Sequence, residues 1–247
     1  METIAFLIPT TSRHNTWETL SECCLCTSSI LSSSKTVSKK YHYKFYIGID
    51  EDDRFFNNNN RKIELCNYIK MKFPSVNCAI VRMQGIESGY LTKMWNILFK
   101  KAYNDGCDYF FQCGDDIVFK SNGWDHACVE QLKKQRNIGV VGPNTNHVSL
   151  LTQTMVSRKH MDIFGVYFPE KIWNWCCDDW ICEVYSPHYK KRINEQYCKN
   201  AGGKRRYNIN GDEHFRMTIE LSKLRRTCND LVKEGQISLN AYLEKVK

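Results

Sequence analysis

Tyr109-Phe110-Phe111-Gln112-Cys113-Gly114-Asp115-Asp116-Ile117-Val118-Phe119 is the stretch on which the reading of this chain turns. Three aromatic residues in a row, with Cys113 following Gln112, favour a buried β-strand. Glycine breaks the run, two adjacent carboxylates follow, and three apolar residues resume as a second short strand. Two acids at a strand end present hard oxygen donors, the type that Mg²⁺ and Mn²⁺ prefer and that those ions also find in phosphate. The competing account is a tight turn whose Asp side chains cap local backbone amides.

Upstream, the same edge is visited twice more. Residues 4–8 form an apolar run that opens into Pro9-Thr10-Thr11-Ser12-Arg13. Residues 43–49 form a second run, ending in Asp50-Glu51-Asp52-Asp53, and residues 77–83 a third. Between them the apolar spacing predicts helices over 17–31, over 61–72 with Ile63, Cys66, Ile69 and Phe73 on one face, and over 90–104 with Leu91, Met94, Trp95, Leu98 and Ala102. The four asparagines at 57–60 read as an exposed loop tip, and 32–40 as a polar linker. Strands alternating with helices predict an α/β fold with a mainly parallel sheet covered on both faces. Ligands of such sheets bind at the carboxyl ends of the strands, which is where three independent strand ends here aim polar groups.

Downstream, the pattern predicts a helix over 124–135, strands over 139–142 and 152–157, and helices over 161–164 and 180–185. A basic, Gly- and Asn-rich stretch over 200–211 reads as a mobile loop. An amphipathic segment over 213–247 follows, as one helix or two broken at Gly235. The division expected is a catalytic and nucleotide-binding domain over 1–190 with a basic loop and helical extension of the same domain over 191–247.

Composition narrows the function classes. The 247 residues suit one α/β domain, and 42% hydrophobic with 25% charged residues is ordinary for a globular chain. The net charge of +8 favours an anionic ligand, but the basic residues are scattered and form no stripe of the kind that binds nucleic acid. No apolar run approaches the ~20 residues of a membrane-spanning helix, and the N-terminus lacks the features of a signal peptide. Thirteen cysteines, an odd number, read as reduced thiols of a cytoplasmic protein. The lone C-x-x-C of Cys23 and Cys26 reads as core and not as a zinc site.

In order and spacing, these motifs resemble the GT-A glycosyltransferases. Residues 6–13 resemble the opening strand and nucleotide loop of that family. Gly48-Ile49-Asp50-Glu51-Asp52-Asp53 resembles its second strand with a base-binding acid, and Gly114-Asp115-Asp116 a variant of its D-x-D metal motif. With Gly142-Pro143-Asn144, residues 152–165 and Asp178-Asp179-Trp180 included, the series is most similar to the GT-A domains of chlorovirus enzymes that glycosylate the capsid. The resemblance spans roughly residues 1–190 and implies a viral protein acting in the host cytoplasm.

It also implies roles. Pro9, Thr10, Thr11, Arg13, Asp50, Asp52, Lys93 and Asp115 would line the nucleotide, with Arg13 on phosphate and Asp50 on base or ribose. Asp116 would ligate Mn²⁺ or Mg²⁺ directly, and Asp115 would bond ribose or a metal-bound water. Lys93 and Asn96, three apart on a helix, share a face toward diphosphate or sugar. The partners implied are a nucleotide sugar, above all a UDP-sugar, as donor and a glycan or glycoprotein as acceptor, for hexosyl or deoxyhexosyl transfer.

Asp178 and Asp179 form a second acid pair, set among Trp173, Trp175 and Trp180. A hydroxyl that attacks a sugar carbon must lose its proton, so a carboxylate base is required, and burial beside tryptophan raises its proton affinity. The preferred assignment makes Asp179 the base and Asp178 the cap of the helix over 180–185, with the roles exchangeable and with Trp175 and Trp180 on the acceptor. His147, His188 and His214 are candidates for a third metal ligand. Lys204-Arg205-Arg206 reads either as a cationic lid or as a solvated loop. Three alternatives carry different chemistry: a non-catalytic nucleotide-sugar or glycan-binding module, a sugar nucleotidyltransferase, and a polymerase with its own G-D-D. The nucleotidyltransferase would want a glycine-rich loop after the first strand. The chain is too short for the polymerase's other subdomains.

Overall fold

Ile4, Phe6 and Ile8 point to one face of the first strand and Ala5 and Leu7 to the other, and this alternation divides the core in two. The computed structural model describes residues 1–12, 33, 36–56, 58–74, 76–201 and 214–246. Arg13, the helix expected over 17–31, Cys23 and Cys26, and Lys204-Arg205-Arg206 lie outside them.

Four strands form a parallel block: β1 (Thr3–Thr10), β2 (His42–Asp50), β3 (Asn77–Met83) and β4 (Tyr109–Gln112), with α1 (Asn59–Lys72) between β2 and β3 and α2 (Leu91–Asn104) between β3 and β4. The chain then runs through β5 (Ile117–Phe119), α3 (Trp124–Lys134), β6 (Val140–Asn144), β7 (Thr154–Ser157), α4 (Arg158–Phe164), α5 (Cys177–Val184), β8 (Lys190–Asn200) and α6 (His214–Lys245). The sheet order is β3-β2-β1-β4-β7-β6-β8-β5. β7 is antiparallel to β4 and β6, β8 is parallel to β6, and β5 is antiparallel to β8. The parallel α/β half therefore matches expectation, and a mixed half extends it.

On one face Phe6, Phe45 and Phe111 meet Trp124 of α3, whose ring stacks on Phe119 at 4.1 Å. On the other, Leu7, Tyr46 and Phe110 meet α2, with Phe99 edge-on to Phe110 at 4.7 Å. The same half of the core carries α4, α5 and α6.

Several expectations are corrected. Asn58 is the N-cap of α1, its side chain accepting from the Asn60 amide, so the asparagine run starts a helix and is not a loop tip. α1 buries Leu65, Ile69 and the following Phe73, while Ile63 is exposed, so its apolar stripe is rotated from the one expected. β8 was not anticipated, because only Ile193 and Cys198 of its eleven residues are buried. α6 runs unbroken through Gly235. A Cβ there would stand 2.6 Å from Val184 Cγ2, so the glycine allows the helix to lie against α5, at a propensity cost of about 1 kcal/mol. No helix among the described residues is long and apolar enough to cross a membrane.

Candidate functional site

The order β3-β2-β1-β4 means that the chain winds outward from β1 and then crosses back to β4 on its other side. The crevice between the carboxyl ends of β1 and β4 is thus the switch point at which α/β sheets bind ligands. Pairing of β1 with β4 runs from Ile4–Tyr109 to Leu7–Gln112, and the same register carried onward sets Thr10 opposite Asp115. The Thr10 hydroxyl donates to Asp115 Oδ2 at 2.6 Å, and both residues are buried.

Gly114 makes the turn. Its N–H donates to Gln153 Oε1 at 3.2 Å, and a Cβ on it would lie 2.6 Å from Asp116 Oδ1, so a side chain here would displace the Asp116 carboxylate from its place over the turn. The Asp116 carbonyl accepts from the Ala201 amide at 2.8 Å, tying the turn to the chain that leaves β8. Burial raises the Asp116 carboxyl above its ordinary range. Two adjacent carboxylates here suit a hard divalent ion. Among the described residues no three His, Cys, Asp or Glu side chains converge.

Asp50, at 4% exposure, ends β2 one position beyond Ile49, the partner of Thr10. Asp52 is exposed. The acid that organises this corner is one that sequence reasoning did not single out. Asp53 accepts from the Ser12 amide, from the Ser12 hydroxyl at 2.7 Å, from the Thr11 hydroxyl at 3.3 Å, and from the Phe55 and Phe56 amides at 3.0 and 2.9 Å. It fastens the loop after β1 to the loop after β2. The signal available was an acid two and three residues before a pair of aromatics, the spacing of an Asx turn. Pro9 is buried in register with Gly48 and offers no polar group to the edge.

Lys93 is half-buried on the first turn of α2, its Nζ 5.6 Å from the centre of the Tyr90 ring. Asn96 is not available beside it. Its Nδ2 donates to the Phe168 carbonyl at 2.8 Å and its Oδ1 accepts the Tyr167 and Phe168 amides at 3.0 and 2.9 Å. It is a buried tie between α2 and the segment after α4, which corrects the expected ligand role.

Asp178 and Asp179 lie within the first turn of α5, where acids are favoured by the helix dipole. The N-cap is Cys176, in the left-handed region at φ 72°, with no side-chain cap bond. Asp178 is therefore not the cap it was expected to be, because the helix starts three residues earlier than the sequence pattern placed it. Burial, reinforced by the charge of Asp179, pushes the Asp178 carboxyl up to about 7. Its charge is felt by the Tyr167 phenol. That hydroxyl donates to the Thr154 carbonyl at 3.0 Å, and the Thr154 hydroxyl donates to Gln112 Oε1 at 3.0 Å. The helix that carries the second acid pair packs, through Cys177, Trp180 and Ile181, on the same half of the core as Phe110 of β4 and Tyr167.

The tryptophans separate. Trp180 is 2% exposed, its indole N–H donates to the Leu231 carbonyl of α6 at 3.1 Å, and its ring meets Phe164 edge-on. It is core, which overturns its expected acceptor role. Trp175 and Trp173 are 44% and 43% exposed. Beneath α5, His160 is fully buried, with Nε2 3.0 Å from the Tyr167 carbonyl and Nδ1 2.9 Å from the Tyr185 hydroxyl. A carbonyl can only accept, so Nε2 carries the proton and Nδ1 accepts; burial holds the pKa down at about 4. His147 and His188 are exposed, and His147 Nδ1 accepts the Leu150 amide at 3.2 Å. The His214 side chain lies outside the described residues. The cysteines among the described residues are free thiols.

No protein-family model and no curated protein sequence matches the chain. Among solved structures it is similar to S. aureus TarS 1–349 in complex with UDP-GlcNAc, with a TM-score of 0.57 at 12% identity over 90% of this chain and 65% of that one. It is also similar to the same protein in complex with UDP, with a TM-score of 0.56 at 11% identity over 81% and 60% of the two chains. A larger TarS structure gives 0.54 at 11% identity over 80% and 36%. The chain thus spans 60–65% of TarS 1–349. At such identities the likeness is one of fold, and the fold of this chain is GT-A.

Proposed function

We propose that the chain is a glycosyltransferase that moves a hexosyl or deoxyhexosyl group from a nucleotide sugar, most suitably a UDP-sugar, to a hydroxyl of a glycan or glycoprotein. The observation that carries this reading is the Thr10–Asp115 hydrogen bond at the switch point, with Asp116 beside it on the turn. The TarS structures that share the fold hold UDP and UDP-GlcNAc, which supports a UDP-sugar as donor. Mn²⁺ or Mg²⁺ held by Asp116, with Asp115 on ribose or a metal-bound water, would supply charge stabilisation to the departing nucleoside diphosphate. Thr10 holds Asp115 in position for that work, Asp50 would take the base or ribose at the end of β2, and Lys93 adds a cation on the α2 side. The chlorovirus likeness, and with it a viral origin and action in host cytoplasm, belongs to this proposal on motif order alone.

On the acceptor side, the base is Asp178 in preference to Asp179, because burial poises the Asp178 carboxyl near 7, where it takes up a hydroxyl proton readily. As the acceptor oxygen bonds to the sugar carbon, its proton passes to the carboxylate and the diphosphate leaves with the bonding pair.

The test is a thermal-shift series with UDP-, GDP-, dTDP- and CMP-sugars, with and without Mn²⁺. A ligand at 100 times its Kd stabilises by about 2.7 kcal/mol, which is several degrees for a chain of this size. One nucleotide class should stabilise the protein, only with metal, and Asp116→Ala should lose that shift while remaining folded. A shift retained by folded Asp116→Ala would remove Asp116 from the metal. Slow metal-dependent hydrolysis of the donor separates an enzyme from a binding module, and absence of pyrophosphate exchange into nucleoside triphosphate in the presence of the nucleotide sugar separates it from a nucleotidyltransferase.

A further inference from the structure

Trp173 is exposed, yet its surroundings hold it still. Its ring stacks on Tyr90 at 4.6 Å between centroids and 13° between planes. Its carbonyl accepts the Thr92 amide at 3.1 Å and the Thr92 hydroxyl at 3.2 Å. The same hydroxyl reaches the carbonyl of buried Ile172, and the Tyr90 hydroxyl reaches the carbonyl of Glu170. Residues 170–173 are thus clamped onto the start of α2, at the carboxyl edge of the sheet. One face of the indole is covered by Tyr90, so its 43% exposure belongs to the other face and the rim.

We propose that this outward face of Trp173 is the surface on which a pyranose ring of the acceptor stacks; the inference rests on the glycosyltransferase reading above. Three features point to a sugar on the acceptor side. A pyranose has an apolar C–H face and a polar rim, which a flat aromatic beside wet polar groups matches. Lys93, with Nζ 5.6 Å from the Tyr90 centroid, supplies such a group at the edge of the stack. Trp173 also lies just before the turn, closed by the Cys177 amide on the Asn174 carbonyl at 3.3 Å, that leads into Asp178 and Asp179. Five residues fully extended reach at most about 17 Å, and a turn shortens that to roughly the length of one or two sugar units. The donor's base and ribose are assigned elsewhere, to the ends of β1 and β2. A residue already held by one stacking contact and two hydrogen bonds to its carbonyl loses little freedom when a ligand covers its ring. Trp175, 44% exposed on the same turn, is available to a second sugar unit.

The test uses the full chain with Mn²⁺ and UDP on an immobilised array of neutral and acidic oligosaccharides, comparing wild type, Trp173→Ala and Trp173→Phe. The expected result is that wild type retains at least one glycan, that Trp173→Ala weakens its retention about tenfold or more, and that Trp173→Phe restores most of it. The UDP-induced thermal shift should be equal in all three. Retention unchanged in Trp173→Ala, or no glycan retained by UDP-bound wild type, overturns the proposal. So does a variant that binds UDP normally but UDP-sugars poorly, which would give the face to the donor sugar. Absence of any UDP shift in wild type is a different failure, that of the glycosyltransferase reading itself.

Discussion

Asp115 and Asp116 sit on a turn that two strands hold, and Asp178 and Asp179 sit on the first turn of an eight-residue helix held through its side chains. The first pair inherits its position from the β1–β4 register, which fixes Thr10 opposite Asp115 to within a hydrogen bond. The second pair owes its position to α6, whose Leu231 carbonyl takes the Trp180 indole N–H and whose Gly235 admits Val184. One pair is therefore placed by backbone pairing and the other by side-chain fit. Perturbations of the core beneath α5 should reach the second pair while leaving the first intact.

The largest effect expected is on turnover. Asp178→Asn should lower kcat by about 10² to 10⁴-fold with little change in donor affinity, and Asp179→Asn by much less. A reversed order would return the base to Asp179. In wild type, kcat/KM should rise with pH through about 7, and Asp178→Asn should flatten that limb.

Stability should show the same asymmetry. His160 has a folded pKa of about 4 against an ordinary 6.5, so between those values the unfolded chain takes up a proton that the fold refuses. Its contribution is intact above about pH 6.5 and declines as pH falls toward 4, by on the order of 3 kcal/mol. Asp178 acts oppositely. Its folded pKa of about 7 exceeds the ordinary 3.8, so its contribution is present at low pH and is lost as pH rises toward 7. Partial solvent access keeps that term to roughly 2 kcal/mol. Urea titrations should show a shallow pH profile in wild type, a steeper rise with pH in Asp178→Asn, and a fall with pH in His160→Gln. Parallel profiles in all three would mean that neither group is shifted by its surroundings.

On the donor side the corresponding support is Asp53. Asp53→Ala strands the Ser12, Phe55 and Phe56 amides, which should cost about 2 kcal/mol in urea unfolding and raise the donor KM by disordering the loop after β1. An unchanged donor KM would separate that loop from nucleotide binding.

How much of this was legible in the sequence follows the same division. The apolar run at 4–8 and the aromatic run at 109–111 marked the parallel strands, and the acids at their ends marked the edge, because register carries a strand's polar end to a predictable place. Asp53 was not distinguishable from Asp50 and Asp52, since only the loop from β1 decides which of several adjacent acids is used. β8 was missed because a strand paired on both sides satisfies its backbone whatever its side chains, and most of those are polar. The three tryptophans of 173–180 look alike in sequence. Trp180 lies on the buried stripe of Cys177, Ile181 and Val184, a helical spacing that becomes visible only once the helix is started at 177.

That start is itself the last point at which the comparison can be probed. Cys176 holds φ 72°, a left-handed conformation that costs a residue with a Cβ about 1 kcal/mol. Its carbonyl also accepts a contact from Cys228 Sγ at 3.5 Å, so α6 reaches the very residue that sets the direction of α5. Cys176→Gly relieves the strain and keeps the carbonyl, and should raise Tm by about 2 to 4 °C. If packing against α6 positions Asp178, turnover should stay within about twofold of wild type, since the contacts of Trp180 and Val184 with α6 are kept and only the Cys176 thiol's contact with Cys228 is lost. A variant that gains stability but loses turnover would show instead that the strained entry at Cys176 aims the acid pair, and the second pair would then depend on backbone geometry as fully as the first.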